Sequence, residues 1–381
     1  MAIYFLENIL ESVEMMSHAV STGLIPQSVY AKKLRSLLPK EAFQPDGSKL
    51  VVLLINIAIL LSGWGIASYL DQWPKSLLWL YLPCSVVMAN CVILLAFIGH
   101  DLMHGSVIRN RRWVYVVTLF SQTILWIPPT LWKIMHNRVH HNKTNSLADP
   151  DRNYLYQQPN ALGKRVQEII VPSSTITVPG LILGMVTAWG IYGCRHLVAV
   201  LFFSDQDCPH VAAQFSVKPQ EKRAIAAELS LMVLFHLCLL AYLQFDPIKL
   251  ILAYFLPIGL GYAGMIFYIY TNHMFCRMTE INDPLVNSVS IKVPKFIDFI
   301  HYNFSYHAEH HIFPGLNSDY YPLVRAGLAK LYPERMGYVT TAQDAWHVLL
   351  TTPRYYLTET MFTDWTGTEH IPCPAHNSIS F

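Results

Sequence analysis

Four long runs of apolar residues constrain this chain more than any other feature of its sequence. They span residues 50–70, 77–98, 224–245 and 250–270, and only the third contains an acid, Glu228. A helix needs about 20 predominantly apolar residues to cross a bilayer. Only 14% of the residues are charged, against about 25% in a soluble domain. The sequence therefore predicts an all-α integral membrane protein with four transmembrane helices.

The connections between these runs pair them into two hairpins. Residues 71–76 and 246–249 are short turns, so each pair returns to the side on which it started. The long segments 1–49, 99–223 and 271–381 contain nearly all the Lys and Arg residues. By the positive-inside rule we expect these segments, and both termini, on the cytoplasmic side.

Two further apolar stretches fit this pattern less well. Residues 113–127 are too few to cross a bilayer with ease. Residues 176–203 are numerous enough, but one proline and four glycines interrupt them. We expect both stretches to form interfacial or re-entrant helices.

Charge and cysteine content exclude other classes of protein. A formal net charge of +2 with dispersed basic residues indicates no nucleic-acid partner. The seven cysteines form no CxxC pair, so the sequence predicts no disulfide framework and suits a reducing compartment.

Histidine is concentrated in three short boxes outside the apolar runs. HDLMH begins at His100, HNRVHH at His136 and HAEHH at His307, and together they hold eight of the 17 histidines. In the two-hairpin topology all three boxes lie on the same side of the membrane. We therefore expect a cytoplasmic helical cap in which the boxes meet.

The first and third boxes suit helices with one histidine face. A helix turns about 100° per residue, so His100 and His104 share a face if the second span continues to Gly105 as its stop. The three histidines of HAEHH fall within an arc of about 100°, and Phe313-Pro314-Gly315 ends that helix.

The second box does not fit a straight α-helix. His140 lies near His136, but His141 points about 140° away from it. Either His141 serves a second metal ion or the helix is distorted.

Eight imidazoles are too many for one metal ion and suitable for two, because a structural zinc site takes four ligands. Neutral imidazole suits iron, zinc, copper and nickel. Two irons with open positions could bind O₂ and oxidise an unactivated C–H bond. Carboxylates near the boxes could orient the rings. The candidates are Asp101, Asp149, Asp151 and Glu309.

The three boxes, each in its place relative to paired spans, resemble those of the membrane fatty acid desaturase superfamily. The resemblance covers roughly residues 50–330. It implies a membrane di-iron oxygenase whose metal ligands are His100, His104, His136, His140, His141, His307, His310 and His311. In acyl-CoA relatives a histidine just after the fourth span is also a ligand, and His273 matches that place.

The resemblance also implies a division of the chain and a set of partners. Residues 1–49 would be a cytoplasmic N-terminal segment, 50–330 the desaturase-like membrane domain, and 331–381 a cytoplasmic tail. The reaction would be the introduction of a C=C bond into the acyl chain of a lipid or of an acyl thioester, with O₂ as the co-substrate. No HPGG motif is present, so electrons would come from a separate donor such as ferredoxin or cytochrome b5.

Several alternatives stay open on sequence alone. HDLMHGS also resembles the first box of carotenoid ketolases, and a hydroxylase of the same superfamily would use the same machinery. A histidine-lined metal transporter or binding protein is a different class, but it would place histidines within the spans, and only His236 lies inside one. We expect a structural contact between helices for His236 and a supporting role, not ligation, for His301.

Overall fold

The computed structural model of the chain describes residues 23–150, 177–203, 215–274, 276–353, 355–364 and 366–374. The predicted cytoplasmic ends of the chain thus lie partly outside the described residues. The α-helices are α1 (Gln27–Leu34), α2 (Lys49–Ala67), α3 (Leu82–His104), α4 (Arg111–Thr123), α5 (Pro129–Trp132), α6 (His141–Lys143), α7 (Val178–Phe202), α8 (Pro219–Tyr242), α9 (Pro247–Leu250), α10 (Leu256–His273), α11 (Pro284–Asn287), α12 (Lys295–Ile300), α13 (His307–Ile312), α14 (Tyr321–Leu331) and α15 (Ala342–Thr351).

Shorter elements complete the described chain. Two π-helical segments span Lys133–His140 and Ile251–Phe255. The 3-10 helices are Arg35–Leu37, Lys40–Phe43, Leu70–Gln72, Lys75–Tyr81, Ser318–Tyr320 and Pro333–Tyr338. The strands are β1 (Ser290–Lys292), β2 (Val339–Thr341), β3 (Tyr355–Thr358), β4 (Met361–Thr363) and β5 (His370–Pro372). β1 pairs with β2 in parallel, and β3, β4 and β5 form an antiparallel sheet.

Within the described residues, five helical segments are long and apolar enough to cross a membrane. They are Lys49–Ala67, Lys75–His104, Val178–Phe202, Pro219–Tyr242 and Pro247–His273. Four of them overlap the four predicted runs; the first and third runs extend three residues beyond the ends of their helices. The fold is mainly helical, as predicted, but the count by length and composition is five and not four.

The additional segment is α7, in residues 176–203, for which the interrupting proline and glycines predicted an interfacial or re-entrant helix. It is one continuous helix of 25 residues. Pro179 stands in its first turn, where a missing N–H costs nothing, and the Thr177 side chain caps the helix start. Val186 of α7 lies beside Gly259 of α10, and Trp189 beside Tyr262. The two helices therefore run parallel, towards the same end of the bundle.

α4 is short and exposes apolar residues outward. Trp113, Val116 and Phe120 are exposed, whereas Thr118 and Ser121 are buried. A helix that lies against lipid has this arrangement. This exposure is consistent with the interfacial helix predicted for residues 113–127. The position of α4 at the membrane surface stays a prediction.

Helix α3 ends directly after the first histidine box. Gly105 ends α3 directly after His104 with a φ of 75°, and its N–H bonds to the carbonyls of Asp101 and Leu102. This confirms the predicted stop, since the left-handed conformation favours glycine. Gly315, after the third box, packs against the His104 carbonyl, where a Cβ would come within 3.2 Å.

A second hydrophobic core lies beyond the histidines and builds the cap. Tyr30 and Leu34 of α1 pack with Ala308 and Ile312 of α13 and with residues of α14. Residues on both sides of the predicted domain limits at 49 and 330 therefore pack together. The three-part division of the chain stays a prediction.

Candidate metal centre

The structure brings all nine predicted ligands into one buried region. His100 and His104 end α3, His273 ends α10, and the third box forms α13. The second box lies on the π-helical segment and the first residue of α6. The exposed fraction is 9% or less for His100, His136, His140, His141, His273, His307, His310 and His311.

A π-helical turn brings His136 and His141 of the second box to the same face of the helix. The N–H of His141 bonds to the carbonyl of His136, five residues earlier. This i→i+5 bond is the defining feature of a π-helix. It brings the Nε2 atoms of His136 and His141 to 3.1 Å, although an α-helix would point them apart. The sequence had left open a distorted helix or a second metal site for His141, and the helix is distorted.

The imidazoles form two groups. His141 Nε2 also lies 3.2 Å from His310 Nε2. In the first group the ligand nitrogens lie within 4.8 Å of one another, and its members are His100, His104, His136, His141 and His310. In the second group the same limit holds for His140, His273 and His311.

His307 adjoins the second group. Its Nε2 is 2.7 Å from that of His273 and 3.1 Å from that of His311. Neighbouring residues of the second box thus serve different groups, since His140 belongs to one and His141 to the other.

Outward hydrogen bonds fix which nitrogen faces the centre in two of the rings, His140 and His273. His140 Nδ1 donates to Asp149 at 2.9 Å, and His273 Nδ1 donates to the Asn287 carbonyl at 3.0 Å. A ring that donates through Nδ1 keeps its Nε2 lone pair for a metal. Three further Nδ1 contacts join His100 to Asp101 (3.2 Å), His310 to the Tyr321 hydroxyl (3.0 Å) and His311 to the Thr144 hydroxyl (3.4 Å).

Sequence reasoning identified only part of this supporting set. Asp101 and Asp149 contact histidines as predicted. Glu309 does not, because its carboxylate points away to Ser290, Arg325 and Tyr338. Asp151 lies outside the described residues. The Asn287 carbonyl and the Tyr321 hydroxyl were missed, since nothing in their local sequence marks them.

The nine imidazole rings are suitable ligands for transition-metal ions such as iron or zinc. The Nε2 atoms of His100 and His104 are buried, and no described protein group hydrogen bonds to them. Burial lowers the pKa of five box histidines well below its ordinary value, and neighbouring imidazoles lower it further; these are His136, His141, His307, His310 and His311. Neutral rings with converging lone pairs are suitable ligands for two transition-metal ions.

The two histidines predicted to be structural are bonded to protein groups. His301 contacts the Tyr268 hydroxyl at 3.0 Å and Asn90 Oδ1 at 3.1 Å. His236 joins α8 to the Thr123 carbonyl at 3.0 Å and to the Tyr254 hydroxyl at 2.7 Å. Both ring nitrogens are engaged in each case, which leaves neither residue a lone pair for a metal.

An apolar cavity leads to the histidines between α3, α4, α7 and α10. Its volume is about 100 Å³. Its inner end is lined by His100, His136, His140, His273 and His307. Hydrophobic residues form most of the remaining wall, among them Leu125, Ile127, Trp132, Ala188, Trp189, Met265 and Ile266.

Two aromatic contacts hold the wall of this cavity beside the centre. The Trp132 ring stacks on His136 with centroids 4.6 Å apart. Phe304 stacks on Phe97 at 3.8 Å and meets the His100 ring edge-on at 5.3 Å. A flexible apolar ligand could thus lie directly against both groups of histidines.

The fold and the site define a helical protein with membrane-type spans and a histidine-rich candidate metal centre. A sequence profile described as fatty acid desaturase matches residues 76–342, more than half of the chain. The chain therefore belongs to the fatty acid desaturase family.

Curated proteins with similar sequences are desaturases as well. The chain is 29% identical over 123 residues to an sn-1 acyl-lipid omega-3 desaturase (ferredoxin) of a Nostoc species, which is 32% of each protein. It is 26% identical over 125 residues to the enzyme of the same name from a Synechocystis species, 32% of this chain and 33% of that enzyme. An omega-6 chloroplastic fatty acid desaturase of Arabidopsis thaliana is 32% identical over 125 residues, 32% of this chain and 26% of the relative. The chain thus spans about a third or less of the length of these relatives.

Proposed function

We propose that this protein is an O₂-dependent desaturase that introduces a C=C bond into the acyl chain of a membrane lipid. The observation that carries the proposal is the apolar cavity whose inner end is formed by histidines of both groups. The family match and the desaturase names of the relatives support the same reaction. They do not favour a ketolase, a hydroxylase or a metal transporter.

In this proposal the nine histidines hold two iron ions, which supply the oxidising power for the C–H bonds when O₂ is bound. The group of His100, His104, His136, His141 and His310 would hold one iron, and His140, His273, His307 and His311 the other. For His140 and His273, donation from Nδ1 to Asp149 and to the Asn287 carbonyl keeps the ring in the tautomer whose Nε2 lone pair faces the centre.

The remaining residues of the site bind and position the acyl chain. The apolar wall holds the chain extended and excludes water from the reacting carbons. Trp132 and Phe304 limit the positions that adjacent CH₂ groups can take beside His136 and His100. Removal of two hydrogens from the chain and reduction of O₂ to two waters require two further electrons, which a separate donor must supply, and two further protons, which come from water.

The relatives' names and the charge distribution inform the partners and the orientation. Two relatives carry the words acyl-lipid and ferredoxin in their names. We therefore propose a lipid-linked substrate and a soluble electron donor. A soluble donor needs access from the cytoplasm, so we place the histidine boxes on the cytoplasmic side, as the basic segments indicate.

Expression in a host without such enzymes tests this function. The wild-type protein, a His140→Ala variant and a His301→Ala control would be compared by gas chromatography–mass spectrometry of total fatty acids. We expect a new unsaturated species with the wild type and the control, and none with His140→Ala. The absence of any acyl change with the wild type, in the presence of a competent donor, would contradict the proposal.

A further inference from the structure

The outer face of the cap carries a cluster of exposed basic side chains. We call Lys32, Lys33, Arg35, Lys40 and Lys330 the basic patch; all five are exposed. Two exposed acids, Glu41 and Glu334, lie beside it in the sequence. The patch thus has a clear excess of positive charge in a chain whose total formal net charge is only +2.

The patch belongs to a defined surface of two packed helices. Lys33 Nζ lies 5.1 Å from the centre of the Tyr332 ring, which joins the end of α1 to the end of α14. Arg35 lies over the Phe43 ring at 4.4 Å. These cation–π contacts hold two of the charges against the cap surface.

Exposed apolar side chains lie among these charges. Leu37 is 46% exposed and Leu331 is 39% exposed. Gly327 of α14 packs against Leu37, and Leu331 is one turn further along the same face of that helix. An apolar centre with a charged rim is the usual composition of a protein docking surface.

This surface is separated from the metal centre by a single helix layer. Tyr30 and Leu34 of α1 pack on α13, and Gln27 Nε2 donates to the Ile312 carbonyl at 2.8 Å. The opposite face of α13 presents His307, His310 and His311 to the centre. Packed helix axes lie about 8–10 Å apart, so a partner on α1 would come close to the third box.

Lipid headgroups are a less suitable partner for this patch than a protein. Arg111 and Arg112 begin α4, whose exposed residues Trp113 and Phe120 are apolar, and such flanking charges suit a membrane surface. The exposed residues Ser28, Lys32 and Lys33 of α1 are polar throughout. The cap core also lies between α1 and the histidine ends of the spans.

We propose that the basic patch is the docking surface for an acidic, one-electron carrier protein of the ferredoxin type. This inference rests on the proposed function, because a desaturase needs such a donor. At each docking the carrier would give up one electron, which iron held by the nine histidines would accept. Complementary charge would steer and orient the carrier, while Leu37 and Leu331 would form the apolar part of the contact.

Binding of a plant-type [2Fe–2S] ferredoxin by the full chain in lipid nanodiscs tests the assignment. Surface plasmon resonance would compare the wild type with a Lys32→Glu/Lys33→Glu/Arg35→Glu variant and with Lys143→Glu. Lys143 is also exposed but lies after the second box. We expect about tenfold weaker binding for the triple variant at low salt, a smaller difference at high salt, and unchanged binding for Lys143→Glu.

Two outcomes would overturn the assignment. One is wild-type affinity in the triple variant, and the other is an equal loss in Lys143→Glu, which would indicate only unspecific attraction between opposite charges. A Lys32→Gln/Lys33→Gln variant, expected to show an intermediate loss, guards against an effect of reversed charge on folding. Binding of oxidised ferredoxin needs no turnover, so this result is independent of product formation. Failure of the proposed function would appear separately, as absence of unsaturated product from the wild type with a chemical reductant.

Discussion

A buried lysine at the start of α2 connects the first histidine box to the segment after the third. Lys49 Nζ lies 2.9 Å from Asp101 Oδ2 and 2.6 Å from the Ser318 hydroxyl. The other oxygen of Asp101 is 3.2 Å from His100 Nδ1. The side chains of Lys49 and Asp101 are only 3% and 8% exposed, so solvent screens this ion pair little.

Replacement of Lys49 by Met leaves the Asp101 carboxylate buried without its cation. Removal of one partner of a buried pair costs about 3–5 kcal/mol. Asp101 keeps its contact with His100, so we expect a loss near the lower end, about 3 kcal/mol. The unfolding midpoint should then fall by about 4 °C, given the entropy of unfolding expected for a chain of this length. His100 should also hold its metal less firmly, because its orienting carboxylate can turn away.

A double-mutant cycle separates this interaction from a general effect of substitution. Thermal unfolding in one detergent would be measured for Lys49→Met, Asp101→Asn and the double variant, with iron content determined for each. The double variant should recover about 1–3 kcal/mol relative to the sum of the single losses, since no buried charge is left unpaired. A loss below about 1 kcal/mol in Lys49→Met, or additive losses in the cycle, would refute the reasoning.

Three further predictions follow from the site. The His273→Ala variant should lose roughly half of its bound iron, measured by mass spectrometry of the metal content, whereas the His301→Ala variant should keep its iron. An equal loss of iron from the two variants would contradict the assignment of His273 to one of two metal groups. In the metal-free protein the lowered histidine pKa values mean that, below about pH 6.5, the unfolded chain binds more protons than the folded chain. The thermal unfolding midpoint should therefore fall steeply from pH 7 to pH 5. A midpoint that does not change with pH would contradict burial of the neutral rings. Ala188→Phe should narrow the cavity and shift the products to shorter acyl chains in lipid profiles, and an unchanged chain-length distribution would exclude the cavity as the acyl site.

The spans were predictable where composition decides the structure. Long runs with at most one charge leave few alternatives to a buried or membrane helix, and most of each predicted run lies in such a helix. α7 was misjudged because proline and glycine interrupt helices in water. Pro179 stands in the first turn, where it is tolerated.

The site was predictable to the extent that its chemistry lies in the ligating side chains. Nine histidines were identified from spacing and resemblance, and all nine converge. Their partners depend on tertiary contacts instead. The Asn287 carbonyl carries no side-chain signal, and Tyr321 is one of 21 tyrosines in the chain. Conversely, Glu309 stands inside a histidine box but turns towards Arg325, 2.6 Å away.

The π-helical turn of the second box has a consequence for the spacing of its histidines. In an α-helix, residues four apart lie on one face, and in a π-helix residues five apart do so. A box of the form HxxHH in an α-helix and the present HNRVHH in a π-helix can therefore present equivalent rings to two metals. A π-helical turn accommodates one residue more than an α-helical turn. Deletion of Asn137 would place His136 and His141 four residues apart. In an α-helix the two rings would then still lie on one face and could still belong to the same group of ligands. The length of the motif is thus free to vary while the separation between its outer rings in space is preserved.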